Sequence, residues 1–198
     1  MEQDFTIEVK IADESHFGYA EAISRQIEES AAARGTGIAK RSPEYLRSKM
    51  TEGKAIIGTA SRNGETEVCG FCYIESWGHN QFVANSGLIV FPKFRSQGLA
   101  KLIKKAAFDL SLNKFPGAKL FGLTTNLAVM TINAELGYRP VTFSELTSDD
   151  AFWKGCESCV NHEILVKKDR KNCLCTAMLF APKPERKSND KQETHSRV

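Results

Sequence analysis

Residues 95–100, Arg-Ser-Gln-Gly-Leu-Ala, have a composition and a position that could bind an anion. The apolar run 88–91 before them is typical of a strand end, and it stops at a proline, which cannot donate to a ladder. Gly98 would let a ligand approach the backbone with no Cβ in the way. A helix that began directly after this turn would point its free N–H groups and its positive dipole end at the same place. The pattern therefore predicts an anion site between a strand and a helix.

The helix that such a site requires is indicated by the residues that follow. Its predicted buried stripe, at the helical period, consists of Leu99, Leu102, Ile103, Ala106, Ala107 and Leu110. Lys101, Lys104 and Lys105 fall on the opposite face, which we expect to be exposed. An amphipathic helix of this kind would pack on a sheet and hold the turn in place.

The spacing Arg95-x-x-Gly98-x-Ala100 resembles the Q/R-x-x-G-x-G/A loop of the GCN5-related N-acetyltransferases, which holds the diphosphate of acetyl-CoA. The residues alone would also allow an ordinary turn capped by glycine. The resemblance covers residues 5–146 and implies an α+β fold of three layers, with a mixed, largely antiparallel central sheet flanked by helices. It also implies acetyl-CoA as co-substrate and a small-molecule amine as the acceptor.

The predicted elements follow the order of that fold, β-α-α-β-β-β-α-β-α-β, with an insert before the last strand. Ser42-Pro43 is typical of a helix start, and Asn63-Gly64 is typical of a hairpin turn. The strands are predicted at 5–11, 54–60, 67–77, 81–91, 119–125, 138–146 and about 173–180. We therefore predict one acetyltransferase domain over residues 1–181, a Cys-containing insert at about 147–171, and a disordered charged tail over 182–198.

The resemblance also implies which residues contact the cofactor. In that fold the strands after the meander splay apart and pantetheine inserts between them, so backbone groups near Leu88 and Val90 would pair with it. The Val90 N–H could stabilise the negative charge that develops on the thioester oxygen, which makes Val90 a predicted catalytic residue. Asn133 stands where many members carry a Tyr that protonates the thiolate. The predicted cofactor set is Leu88, Val90, Arg95, Ser96, Gln97, Gly98, Leu99, Ala100, Asn126 and Asn133.

Acetyl transfer to an amine also needs a group that removes a proton from the amine. Many relatives carry a Glu on the strand before the loop, where this chain has Asn85 and Ser86. Glu75 on the neighbouring strand and His79 in the turn are the nearest alternatives, and we predict Glu75 as the catalytic base. The competing interpretation is a solvated edge charge for Glu75 and a turn residue for His79.

Three cations, Arg34, Lys40 and Arg41, belong to a glycine-containing loop between the first two helices. Bidentate Arg contacts there would suit a dicarboxylate, whereas the alternative is a solvated basic loop. This loop, with Thr125-Asn126 and residues 152–156, resembles amino-acid N-acetyltransferases of arginine biosynthesis that make N-acetylglutamate. The resemblance implies glutamate as the acceptor. The alternatives are a protein or peptide N-acetyltransferase and a non-catalytic acetyl-CoA-binding regulatory module with a zinc site.

Cys156-x-x-Cys159 and Cys173-x-Cys175 place four thiols in two close pairs, with 13 residues between the pairs. Four thiolates are the composition of a tetrahedral structural zinc site, and His162 could replace one of them. Buried reduced thiols and a redox-active set are the alternatives. Six cysteines without a secretory signal indicate a reducing compartment.

Charge and hydropathy argue against other classes of protein. The formal charge is +3, and the tail supplies +2 of it through five Lys/Arg and three Asp/Glu, so the folded part is nearly neutral. A dedicated nucleic-acid binder would carry a basic face, so we expect no such partner. No apolar run approaches the roughly 18 residues of a membrane span, and the first residues do not resemble a signal peptide. We expect a cytoplasmic enzyme with no membrane partner, for which a homodimer is possible.

Overall fold

A computed structural model describes residues 5–34 and 41–182, and the strands in these ranges form one sheet. They are β1 (Thr6–Ile11), β2 (Ala55–Arg62), β3 (Glu65–Trp77), β4 (Phe82–Val90), β5 (Lys119–Thr124), β6 (Arg139–Val141) and β7 (Thr176–Phe180). The α-helices are α1 (Ala20–Arg34), α2 (Pro43–Thr51), α3 (Leu99–Lys114), α4 (Leu127–Glu135), α5 (Asp150–Lys154) and α6 (His162–Lys167). The sheet order is β1-β2-β3-β4-β5-β7-β6, and β4–β5 is its one parallel pair. A largely antiparallel sheet with flanking helices confirms the predicted fold class.

The starts of the helices differ in how their backbone N–H groups are satisfied. Ser42 caps α2 by accepting a hydrogen bond from the Tyr45 N–H, and Asn126 caps α4 through two N–H groups of its first turn. The residue before α3 is Gly98, which has φ +76° and no side chain that could cap the helix. The N-terminus of α3 is therefore left open to a ligand. Within the described ranges, no helix is long and apolar enough to cross a membrane.

Successive residues of β3 point to opposite faces of the sheet, and each face buries its own core. Phe71 and Tyr73 pack against α1 and α2. Cys72 and Ile74 pack against α3, in a core that residues of α4 border. A third core forms beneath the insert, where Trp153 and Leu165 pack against β5 and β7. A site that crossed the sheet would therefore be supported by α1 and α2 on one face and by α3 on the other.

The parallel pairing between β4 and β5 is short and ends in a fork. Its residue pairs are Phe82–Lys119, Val83–Leu120 and Ala84–Phe121. Beyond them β4 carries one extra residue opposite β3, a bulge that bends the strand away from β5. Gly87 lies in this bulge with φ +65°, and a Cβ there would sit 2.6 Å from the Tyr73 ring. Glycine is required at this point for β4 to pass Tyr73 and open the fork.

The C-terminal part departs from the predicted ranges. The strand predicted at 138–146 is only the three residues of β6, because the chain then turns through a 3₁₀ segment, Phe143–Glu145, that buries Phe143 beneath the insert. The last strand begins at Thr176 and not at residue 173. The tail predicted over 182–198 lies, apart from its first residue, outside the described residues.

Candidate active site

A cavity of about 380 Å³ opens in the fork and reaches both faces of the sheet. Residues 84–88 of β4 and 121–124 of β5 form its two walls. On one face it meets α2 and the segment before it, and on the other it meets α3 and α4. Residues 151–156 of the insert border it as well. A molecule in this cavity could contact groups that belong to both cores at once.

Glu75 lies in the cavity on the face of α1 and α2. Its Oε1 is 2.8 Å from the Lys49 ammonium, and its Oε2 accepts a 2.5 Å hydrogen bond from the Tyr45 hydroxyl. Burial, the adjacent Tyr73 and the Glu75 carboxylate all raise the pKa of Tyr45, so this hydroxyl stays protonated and donates. Glu75 is therefore held by two donors in a partly buried position and is not a solvated edge charge. Its role as a base stays a prediction.

Arg41 is the one predicted substrate residue whose side chain the described part of the chain includes. Its Nε donates to the Tyr73 hydroxyl at 2.6 Å, and its guanidinium lies over the Tyr45 ring, 5.3 Å from the centroid. Arg41 and Glu75 line the same cavity. Lys40 lies outside the described residues, and only the backbone of Arg34, the last residue of α1, is described.

On the opposite face, Lys104 and Asn133 line the cavity. Lys104 is 2% exposed, so the prediction that it lies on the outer face of α3 is wrong. Leu102, which was predicted to be buried, is 57% exposed. Asn133 donates through Nδ2 to the Met178 sulfur at 3.6 Å, and its buried Oδ1 has no hydrogen-bond partner among the described residues. This face therefore offers a cation and an unused acceptor.

The loop 95–100 has the geometry of an anion site at the N-terminus of α3. A Cβ built on Gly98 would meet nothing within 4 Å, so the space in front of the helix is open. Arg95 donates from Nε to the Val90 carbonyl at 3.1 Å and reaches Ser30 Oγ with Nη2 at 3.5 Å. This side chain thus ties the loop to β4. That the loop, including Ser96, Gln97, Leu99 and Ala100, binds a diphosphate stays a prediction.

The other predicted cofactor residues are distributed along the fork. Leu88 and Asn126 line the cavity, whereas Val90 does not. The Phe91 N–H donates to the Cys69 carbonyl at 2.9 Å, so the alternation of an antiparallel ladder turns the Val90 N–H away from β3 and toward the open side of the fork. Asn126 Oδ1 caps α4, which leaves its amide N–H groups for a ligand. The roles of these residues stay predictions.

Cys156, Cys159 and Cys175 line the cavity, and all four C-terminal cysteines line a small adjoining pocket. In the ranges that the structure describes, however, no three His, Cys, Asp or Glu side chains are arranged to hold a metal ion. Cys173 and Cys175 precede β7, so they do not lie on the strand predicted to begin at about residue 173. Burial and the neighbouring thiols raise the pKa of Cys156 to about 11 and that of Cys175 to about 12. The zinc site predicted at these cysteines is therefore not supported by the arrangement of the described side chains.

Sequence reasoning missed Lys104, Tyr45 and Tyr73 as cavity residues. Lys104 shares one helical face with Phe108 and Ser111, and the structure buries all three. Either this face or the apolar stripe that includes Leu102 could have been the buried face of α3. The sequence pattern favours the stripe, because Leu is a commoner core residue than Lys. The two tyrosines had no separate signal, since Tyr73 lies against the bulge in β4 and Tyr45 reaches the cavity from α2.

The fold is that of the GCN5-related N-acetyltransferases, as the resemblance predicted. N-acetylglutamate synthase from Neisseria gonorrhoeae, complexed with CoA and N-acetyl-glutamate, is 17% identical with a TM-score of 0.60 over 90% of this chain. The chain spans 35% of the length of that enzyme. No protein-family model matches the sequence, and no curated protein matches it.

Two further structures match almost over their full length. The Mycobacterium tuberculosis protein Rv2747, in complex with CoA and NLQ, is 14% identical with a TM-score of 0.63, and the match covers 89% of this chain and 99% of that one. The ribosomal-protein-S18-alanine N-acetyltransferase from Escherichia coli is 13% identical with a TM-score of 0.55, and the match covers 92% of this chain and 98% of that one. At these identities the common property is the fold.

Proposed function

We propose that this protein is an acetyl-CoA-dependent N-acetyltransferase that acts on the amine of a small acidic substrate, with glutamate as the leading candidate. The observation that carries the proposal is the cavity in the β4–β5 fork. It connects the face of α3, where the uncapped helix N-terminus could bind a diphosphate, with the face of α1 and α2, where Arg41 and Glu75 lie. A thioester could enter from the first face and an amine from the second.

The described residues suggest a role for each face in the reaction. Glu75, or a water that it orients, accepts the proton of the substrate ammonium, so that a neutral amine can attack the thioester carbon. The Val90 N–H, turned toward the fork, stabilises the negative charge on the carbonyl oxygen. The C–N bond forms, the C–S bond breaks, and CoA leaves as a thiolate. The protein contributes mainly by holding the two reactants in line.

Glutamate is favoured by Arg41. Its guanidinium is fixed by Tyr73 and stacked on Tyr45, and a fixed Arg suits bidentate binding of a carboxylate. The similarity to an N-acetylglutamate synthase structure points the same way, although the chain spans about a third of that enzyme. We propose that the reaction belongs to arginine biosynthesis and occurs in the cytoplasm.

A peptide acceptor is the second candidate. The Escherichia coli enzyme whose name specifies a ribosomal protein matches this chain over 98% of its own length. A peptide would have to enter past α2 and the insert, whose residues Ala151, Phe152, Gly155 and Cys156 line the cavity. This face therefore favours the small substrate.

Thiol release from acetyl-CoA, measured across the free amino acids and a few peptides, tests the proposal. We expect turnover with glutamate or aspartate and none with apolar amino acids. Turnover with peptides alone would transfer the assignment to the second candidate. No turnover with any acceptor, while acetyl-CoA still binds, would contradict the enzyme assignment.

A variant pair tests the base within the same assay. Glu75→Gln keeps the shape of the side chain and removes the proton acceptor, so we expect kcat to fall about 100-fold, with the largest loss at low pH where little free amine is present. Glu67→Gln is the matched control, because Glu67 is exposed and pairs with Lys93 away from the cavity. Equal activity of the two variants would exclude Glu75 as the base.

A further inference from the structure

Lys104 is a buried cation that no anion of the described residues neutralises. It is 2% exposed and lines the cavity, and among the described residues its ammonium makes no hydrogen bond or ion pair. The ammonium lies over the ring of Tyr138, whose centroid is 5.4 Å from Nζ. A buried lysine without a partner is costly and is rare in proteins. Its presence therefore calls for a ligand that it meets in the cavity.

The groups that face Lys104 from the neighbouring elements are neutral. Cys72 on β3 donates its thiol to the Ser86 carbonyl at 3.3 Å, and burial raises the pKa of Cys72 to about 11. The Tyr138 hydroxyl donates to Asn85 Oδ1 at 3.0 Å, and burial also raises the pKa of Tyr138. Burial lowers the pKa of Lys104 itself to about 8, and the interaction with Cys72, which raises this pKa, offsets only part of the effect. Lys104 is thus mostly protonated at neutral pH, yet it can give up its proton.

Lys104 lies on the side of the cavity where the proposed function places acetyl-CoA. It lies six residues after Gly98, roughly 9 Å along α3 from the open N-terminus. It lines the same cavity as Asn85 of β4, which accepts a hydrogen bond from the Tyr138 hydroxyl. Glu75 and Arg41 face the same cavity from the other side of the sheet. The two ends of the cavity therefore carry a proton acceptor and a proton donor.

We propose that the Lys104 ammonium stabilises and protonates the thiolate of CoA as the C–S bond breaks. The inference rests on the function proposed above and adds a catalytic residue to it. The electron pair of the C–S bond moves to sulfur, and sulfur takes a proton from Lys104 Nζ. The acylated nitrogen releases its remaining extra proton to water on the opposite face, and Lys104 regains a proton from solvent when CoA departs. The residue fills a role that Asn133, an amide, cannot perform.

The first test needs no acceptor amine. The thiol of CoA bound to the wild-type protein is titrated by the ultraviolet absorbance of its thiolate. A cation beside the sulfur lowers the thiol pKa by about 1 to 3 units, so we expect a drop of at least one unit against free CoA. In the Lys104→Met variant the bound thiol should titrate at or above the pKa of free CoA. An unchanged thiol pKa in the wild type would overturn the proposal even if the protein is an acetyltransferase.

The second test is kinetic and uses Lys105→Met as the control, since Lys105 lies one residue away, is exposed and pairs with Asp109. For Lys104→Met we expect kcat to fall about 100-fold, with the KM for acetyl-CoA within about threefold of wild type. The fall in wild-type kcat above about pH 8 should be absent in the variant. A rise in the KM for either substrate at unchanged kcat would show that Lys104 binds and does not donate. If CoA does not bind the wild type, the proposed function itself fails.

Discussion

Two lysines are buried in the described part of the chain, one on each face of the sheet, and their surroundings differ. Lys49 is 6% exposed, lies 2.8 Å from Glu75 and 3.5 Å from Glu52, and sits 4.9 Å from the centroid of the Tyr45 ring. Lys104 is 2% exposed, lies over the ring of Tyr138 and makes no ion pair with a described residue. The described residues thus place anions beside Lys49 and none beside Lys104.

The difference teaches which charges belong to the scaffold and which face a ligand. A buried ion pair is held by its own geometry, and removing one partner leaves an uncompensated charge. A buried cation without a partner weakens the free protein, so its benefit must arise when something binds beside it. In the proposed reaction, Lys49 positions Glu75 for the acceptor, and Lys104 meets the negative charge that forms on sulfur.

The largest expected effect is the opposite response of the two lysines to the same substitution. Lys49→Met removes the cation beside Glu75, a fifth of whose side chain is exposed, so we expect a loss of about 2 to 3 kcal/mol in the free energy of unfolding. Lys104→Met removes an unpaired buried charge and should raise that free energy by about 1 kcal/mol or more. Urea unfolding at pH 7 measures both variants against wild type.

The stability difference between Lys104→Met and wild type should depend on pH in a definite direction. The pKa of Lys104 falls from 10.5 to about 8 on folding, so below pH 8 the folded state bears the full cost of the buried charge. As the pH rises from 8 toward 10.5, the folded protein loses this proton before the unfolded chain does, and wild type is relieved of the cost. The advantage of Lys104→Met should therefore shrink at high pH. A constant difference would show that Lys104 is not buried as a cation.

The next effect concerns the entrance on the Lys104 face. Gly98→Asp places a carboxylate in front of α3, where a diphosphate would be repelled, so we expect the Kd for acetyl-CoA to rise at least about 100-fold. Gly64→Asp is the matched control, because Gly64 also has positive φ and open space but lies in the β2–β3 hairpin. Calorimetric titration measures both. Similar Kd values for the two variants would mean that the loop does not bind the cofactor.

A smaller effect is expected on the Lys49 face. Arg41→Met removes a charged donor to the acceptor carboxylate, so the KM for an acidic amino acid should rise about 20-fold while that for acetyl-CoA stays within about twofold. Arg47→Met serves as control. Arg47 of α2 pairs with Glu21 of α1 and with Glu44 of α2, and it does not line the cavity. An equal rise in both KM values would show that Arg41 maintains the shape of the cavity and does not bind the acceptor carboxylate.

The smallest effect separates the packing around Lys104 from its chemistry. Tyr138→Phe keeps the ring against Lys104 and removes the hydroxyl that donates to Asn85, so we expect a loss of about 1 kcal/mol in the free energy of unfolding. The kcat should stay within about twofold of wild type. A large loss of kcat at full acetyl-CoA binding would instead make Tyr138 the proton donor.

The sequence indicated the fold because its signals are local. Ser42 before Pro43 and the Asn63-Gly64 turn act within a few residues, and the structure places a capped helix and a hairpin with positive φ at those points. The strand predicted after α4 was too long, because its end is decided by the burial of Phe143 under the insert. That contact joins segments that are distant in sequence.

The candidate site was less accessible to sequence reasoning. Gly98 could be identified, since a turn that opens a helix has a recognisable composition. Lys104 could not, because the rotation of α3 on the sheet is set by packing, and a lysine in a helix normally faces water. The cavity itself depends on the bulge at Gly87, which is a property of strand register and not of any one residue.

The fork also divides the sheet into two mechanical parts. β1 to β4 form one antiparallel block and β5 to β7 another, and only the three residue pairs between β4 and β5 join them along their edges. Such a seam is the place where a sheet most easily hinges, because few ladder bonds resist a change in angle. A ligand that pairs with both edges would lengthen the seam and stiffen the whole sheet. Binding in the fork would then reduce the motion of β1 and β6, the two strands farthest from it.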